Sequence, residues 1–216
     1  MIYVSFMEMM PEALSQLSNV YDEKKGTLYM ILAFFAGIIL INLIDFLIPK
    51  QINPHEAHGV EDMHNKIHLK RTGILIAISI STHNFPEGIA TFTSALGSLD
   101  VAIPITVAIA IHNIPEGIAV AVPIFHATGS RKKAFWYSFL SGLSEPLGAL
   151  IAFFFLLHFW TPVLNGLILA AVAGIMVFIS LDELLPTAEK YGKHHLSIIG
   201  VVAGMLVMAL SLFLFI

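Results

Sequence analysis

Seven runs of predominantly apolar residues divide this chain, at roughly 1–18, 28–49, 72–96, 102–125, 134–158, 163–186 and 196–216. A helix needs about 20 such residues to cross the hydrocarbon core of a bilayer, so each run is long enough to span or nearly so. The runs are too long and too continuous to be the alternating strands of a membrane barrel. The fold class that follows is all-α: a polytopic membrane helix bundle, forming a single transmembrane domain over 1–216. Composition closes the alternatives. Only 12% of the 216 residues are charged (11 basic, 15 acidic), against about 25% in a soluble domain. Such a chain has too little polar surface for water and too much apolar content for disorder. Its net charge of −4 comes with no basic stripe, which excludes a nucleic-acid partner and leaves the lipid bilayer. Cysteine is absent, so disulfides and thiolate metal sites are excluded. The first apolar run carries Glu8 and Glu12 with no basic segment before it, unlike a cleaved signal peptide.

Loop charge orients the bundle. The connections at 50–71, 126–133 and 187–195 hold nine of the eleven Lys and Arg residues, and the other connections hold only Lys24 and Lys25. Excess positive charge marks the cytoplasmic side, so these three loops are expected inside and the C-terminus outside. The 50–71 loop also holds His55, His58, His64 and His68. It reads as a cytoplasmic histidine-bearing loop, either simply solvated or a weak metal-collecting tract.

Two internal repeats stand out. His83-Asn-Phe-Pro-Glu-Gly-Ile-Ala90 recurs as His112-Asn-Ile-Pro-Glu-Gly-Ile-Ala119. A fainter pair sets Ser5, Glu8, Pro11 and Ala13 against Ser180, Glu183, Pro186 and Ala188 at the same spacing. The copies of each pair are expected to run in opposite directions through the membrane, which is the mark of inverted repeats in secondary transporters.

The octets carry the chemistry. His83 and Glu87 are four apart and Asn84 and Glu87 three apart, so they share one helix face, and His112, Asn113 and Glu116 repeat the arrangement. Two such helices facing each other bring two imidazoles, two amides and two carboxylates together near mid-membrane. Pro86 and Pro115 deny the carbonyls of Thr82 and Ile111 their usual donor, and a helix broken there is tolerated only around a buried or water-lined site. A single buried polar residue is often no more than helix glue. Two copies of one six-residue polar motif are hard to explain that way, because each charge at the bilayer centre costs roughly 2.5–3.5 kcal/mol on insertion scales. Imidazole, carboxylate and amide without thiolate suit a borderline divalent metal such as zinc, iron, manganese, cobalt, nickel or cadmium. Glu87 and Glu116 can bridge two ions in a binuclear site. Because these ligands must shed protons, metal uptake is expected to depend on pH. Glu145, a third intramembrane carboxylate followed by proline, is expected to complete the site. Glu8, Glu12, Asp182 and Glu183 are expected to line an entrance or exit path, or else to be helix-end carboxylates in water.

HNFPEGIATF at 83–92 and IAIHNIPEGIAVA at 109–121 resemble the ZIP family of divalent-metal transporters, most closely its bacterial members. The likeness extends to MEMMPEAL at 7–14, SGLSEPLGA at 141–149 and AAVAGIMVFISLDELLP at 170–186, and so over essentially the whole chain. The resemblance implies eight membrane helices in the family, both termini outside, and movement of metal toward the cytoplasm across the cell inner (cytoplasmic) membrane. It implies one metal site of His83, Glu87, His112, Glu116 and Glu145, and an adjacent second one of Asn84 and Asn113 with the shared glutamates. It implies a broad cargo of zinc, iron, manganese, cobalt and cadmium, no resident cofactor, and a homodimer. About seven helices are expected here, since the chain begins inside what resembles the family's second helix.

Other functions fit less well. An intramembrane metallohydrolase could use the same ligands to activate water, but His-Glu-x-x-His and Gly-x-Ser-x-Gly are both absent from the sequence. No Gly-x4-Gly-Lys-Ser/Thr phosphate loop is present either, which excludes ATP hydrolysis by that route. A non-transporting metal-binding protein is the remaining alternative.

Overall fold

The computed structural model describes residues 1–47, 66–97, 99–191 and 194–213. These form seven helical rods: α1 over 2–20, α2 at Glu23–Leu47, α3 at Lys66–Gly97, α4 at Leu99–Thr128, α5 at Arg131–Phe159, α6 over 162–191 and α7 at His194–Phe213. No strand occurs among the described residues. Five of the rods contain stretches long and apolar enough to cross a membrane: Glu23–Ile44, Ile109–Thr128, Arg131–Phe159, Pro162–Asp182 and His194–Phe213. The exceptions are α1, which carries Glu8 and Glu12, and α3, which carries the first octet and a basic first turn.

The helices run further into the connections than hydropathy suggests. α3 begins at Lys66, so 66–71 is helix rather than loop; most of the expected histidine loop lies outside the described residues. The 126–133 connection shrinks to Gly129 and Ser130, where Gly129 turns the chain at φ 65°. Most of 187–195 is helix as well. Basic and polar side chains tolerate a helix as it leaves the apolar zone, so hydropathy ends before the hydrogen-bond ladder does. Ser130 and Thr161 cap α5 and α6, accepting from the amides of Lys133 at 3.3 Å and Leu164 at 3.1 Å.

The expected breaks at Pro86 and Pro115 do not occur, since α3 and α4 run through them as continuous helix. The ladder is disturbed instead ahead of three other prolines. A five-residue π turn at Ser5–Met9 precedes Pro11, and a second at Ser180–Leu184 precedes Pro186. In α5 the ladder relaxes at Leu143, just before Pro146. A proline ring clashes with the carbonyl four residues back, and widening the preceding turn relieves that clash. The two π turns fall at matching positions of the faint repeat. In each, the serine hydroxyl donates to the carbonyl four residues earlier, Met1 at 3.1 Å and Met176 at 2.7 Å. Ser180 also meets the Met1 sulfur at 3.6 Å, while Gly166 abuts Ala13 and Leu17. α1 and α6 are therefore antiparallel neighbours, as inverted copies must be.

α6 is the central rod, with Leu169, Ala170, Ala173 and Met176 essentially inaccessible. Val4 and Met9 of α1, Phe34 of α2, Ala90 of α3 and Met208 of α7 pack with it in one apolar cluster. Elsewhere the rods turn large apolar side chains outward: Leu32, Phe35 and Ile39 on α2, Leu150 and Phe154 on α5, Val202 and Leu206 on α7. An apolar surface of this extent is one meant for lipid.

Two pairs of rods approach at glycine. A Cβ on Gly37 would strike the Ala171 carbonyl and one on Gly174 the Phe34 carbonyl, locking α2 to α6. In the same way Gly88 faces the Glu145 carbonyl and Gly148 the Phe85 carbonyl, locking α3 to α5. In lipid, where apolar surface gains little by leaving its solvent, such backbone approach is a main source of helix association.

Candidate metal centre

The second glycine crossing builds the candidate site, because its two glycines flank Glu87 on one rod and Glu145 on the other. α4 joins them as the antiparallel neighbour of α3: Gly73 packs on Ile124, and Asn84 lies opposite Glu116. Three rods thus bring their polar residues to one level.

Glu87 is fully buried, Asn84 is 2% exposed and Glu116 8% exposed. Oriented by its neighbours, the Asn84 amide donates to Glu116 Oε2 at 3.1 Å and to the Ile80 carbonyl at 3.1 Å. Asn113 Nδ2 donates to Glu145 Oε2 at 2.6 Å. Each octet asparagine therefore reaches a carboxylate on another rod. The first octet is tied to the second, and the second to Glu145. Hydrogen bonds to a carboxylate are roughly twice as strong as neutral ones, and here they hold anionic oxygens where desolvation is severe. Asn113 Oδ1 is buried and, among the described residues, has no hydrogen-bond partner. An amide oxygen left in this state beside the Glu145 carboxylate is a donor suited to a cation.

His83 and His112 lie on the helical backbones of α3 and α4, one residue before the paired asparagines; their side chains lie outside those described, as does that of Glu183. Among the described residues no three His, Asp or Glu side chains gather at one point. Glu8 and Glu12 are half-buried on one face of α1, and Glu12 accepts from Gln16 Nε2 at 2.6 Å. Asp182 is exposed, at the π turn of α6.

The serines of α5 have a part that sequence reasoning missed. Ser138 Oγ donates to the Gly117 carbonyl at 3.0 Å, fastening α5 to the second octet. Ser141 donates to the Ser138 carbonyl at 2.8 Å and Ser144 to the Ser141 carbonyl at 2.7 Å, across the relaxed turn before Pro146. The signal available was their three-residue spacing, running straight into Glu145-Pro146.

Comparison with known proteins agrees with this architecture. The family model described as ZIP Zinc transporter matches residues 49–212. The chain is 60% identical to the zinc transporter ZupT of Streptococcus mutans, over all of this chain and 82% of that protein. It is 59% identical to the ZupT of Corynebacterium aurimucosum and 55% identical to that of Clostridium perfringens, with the same coverage. The family is one of transporters rather than enzymes. A multi-pass membrane bundle with paired polar octets at a three-rod junction, matched along its whole length at this identity, belongs to the ZIP family of zinc transporters.

Proposed function

We propose that this chain carries divalent metal, zinc foremost and also iron, manganese, cobalt and cadmium, across the cytoplasmic membrane into the cell. His83, Glu87, His112, Glu116 and Glu145 hold one ion, and Asn84 and Asn113 with the shared glutamates hold a second beside it. The observation that carries this reading is the crossed pairing of the octets, Asn84 with Glu116 and Asn113 with Glu145. Carboxylates buried at a helix junction in a membrane protein call for positive charge, and a divalent cation supplies it.

The ion exchanges its water for imidazole and carboxylate at the junction, then leaves along the carboxylates of the fainter repeat: Glu8 and Glu12 on α1, Asp182 and Glu183 on α6. Its own gradient, with the membrane potential acting on the cation, drives the movement. The 50–71, 126–133 and 187–195 connections face the cytoplasm and the C-terminus faces outward, supported by the loop charge. Family resemblance alone supports a homodimer.

The test is zinc influx into liposomes holding a metal-sensitive dye, with the full chain against Glu87→Ala/Glu116→Ala. Loss of influx in a variant that keeps its helical content is the expected result. Undiminished influx would place the ion's route elsewhere.

A further inference from the structure

Beside the α4–α5 turn lies a groove of about 680 Å³, lined by residues of both rods. Its walls are Val122 and Phe125 of α4 and Phe135 and Phe139 of α5, and its rim carries His126 and Arg131. The volume is in the range of small-ligand sites. All four wall residues are exposed.

The charge around the rim is of one sign. Arg131, Lys132 and Lys133 are consecutive and exposed, and no Asp or Glu occurs between Glu116 and Glu145 to offset them. Gly73 packs on Ile124, so the start of α3, with Lys70 and Arg71, lies at the same end of the bundle. The aromatic rings mark the depth. Phe135 stacks on Phe139 with centroids 5.7 Å apart, and Trp136 meets Phe139 edge-on at 5.6 Å. Tryptophan one turn from a basic cluster is the pattern of a helix end at headgroup level.

We infer that this groove is a binding site for an anionic phospholipid, its phosphate on Arg131 and one acyl chain between the phenylalanines. Lipid tails are as apolar as the walls, so the groove supplies shape and the selection falls on headgroup charge. Basic pockets between membrane helices take anionic headgroups on these grounds. The inference rests on the membrane setting and not on the metal site, so its failure leaves the proposed transport untouched.

The test is native mass spectrometry of the full chain after detergent exchange with equal amounts of phosphatidylglycerol and phosphatidylcholine. Phosphatidylglycerol adducts are expected in excess. Arg131→Gln should cut that excess about five-fold, the worth of one basic residue near a lipid surface. Val122→Trp, which fills the groove from an exposed position, should cut retention too, while Lys24→Gln/Lys25→Gln, at the opposite end, should not. Circular dichroism checks that each variant keeps its helices. Equal retention of the two lipids overturns the inference, as does an unchanged excess in Arg131→Gln or an equal loss in the Lys24/Lys25 variant. A dimer mass that Val122→Trp abolishes and phosphatidylglycerol does not displace also overturns it, in favour of a second copy of the chain.

Discussion

Replacing Gly148 with alanine tests whether the candidate site depends on backbone approach between α3 and α5. A methyl group at this position would fall within the Phe85 carbonyl, and the obstacle is backbone that cannot rotate aside. Restoring van der Waals separation requires the rods to part by roughly 1 Å. Overpacking of this kind costs about 1–3 kcal/mol. The displacement also draws Glu145 away from Asn113, whose bond of 2.6 Å has no slack to absorb it. Gly148→Ala should therefore lower the unfolding free energy by that amount and depress zinc influx with it. Gly204→Ala on α7 is the matched control, because nothing lies within 4 Å of its methyl. There alanine should stabilise the helix by roughly 0.5–1 kcal/mol and leave influx alone. The assay pairs unfolding in detergent with dye-reported influx for both variants. Wild-type stability and influx in Gly148→Ala would mean that the crossing is not what holds the site.

Three further outcomes are expected. Asn113→Ala removes a donor from Glu145 and should lower unfolding free energy by about 1.5–3 kcal/mol, the range for hydrogen bonds to charged groups, measured by the same unfolding assay. Thr161→Ala strips the N-cap from α6 and should cost about 1 kcal/mol with zinc influx unchanged, since the cap lies at the rod end away from the π turn. The hydrogen bond from Lys25, with the Lys25 charge and amide adding to it, holds the Asp22 carboxyl below its usual 3.8. That contribution is present at and above the ordinary carboxylate range and is lost as pH falls through the lowered value, so the Lys25 amide resonance should shift at a lower pH than in a chain whose Asp22 lacks the Lys25 side chain.

Much of this protein could be read without its structure, and the reason is that the readable parts are local. Apolar length determines that the chain lies in a membrane and how many rods it forms. The doubled His-Asn-x-Pro-Glu-Gly octet marks polar residues that a membrane chain must gather rather than leave to lipid, because charge that deep is costly. The matched spacing of serine, glutamate and proline in α1 and α6 marks the two segments as copies, and the fold sets them side by side in opposite directions.

Tertiary packing decided the rest. Five prolines look alike in sequence, yet the ladder gives way before Pro11, Pro146 and Pro186 and runs on through Pro86 and Pro115. Whether a helix opens at proline depends on what its neighbours press against it, and no local pattern encodes that. Which asparagine serves which glutamate was equally out of reach. Helix spacing places Asn84 beside Glu87 on one face, whereas the fold carries its amide across to Glu116 and that of Asn113 to Glu145. The glycine after each octet glutamate signals close backbone approach without saying which backbone comes near. For Gly88 it is an absence of volume, through which another rod's carbonyl reaches the site. In lipid the hydrophobic effect cannot choose partners among apolar rods, so shape and hydrogen bonding choose them, and both are properties of the assembled bundle.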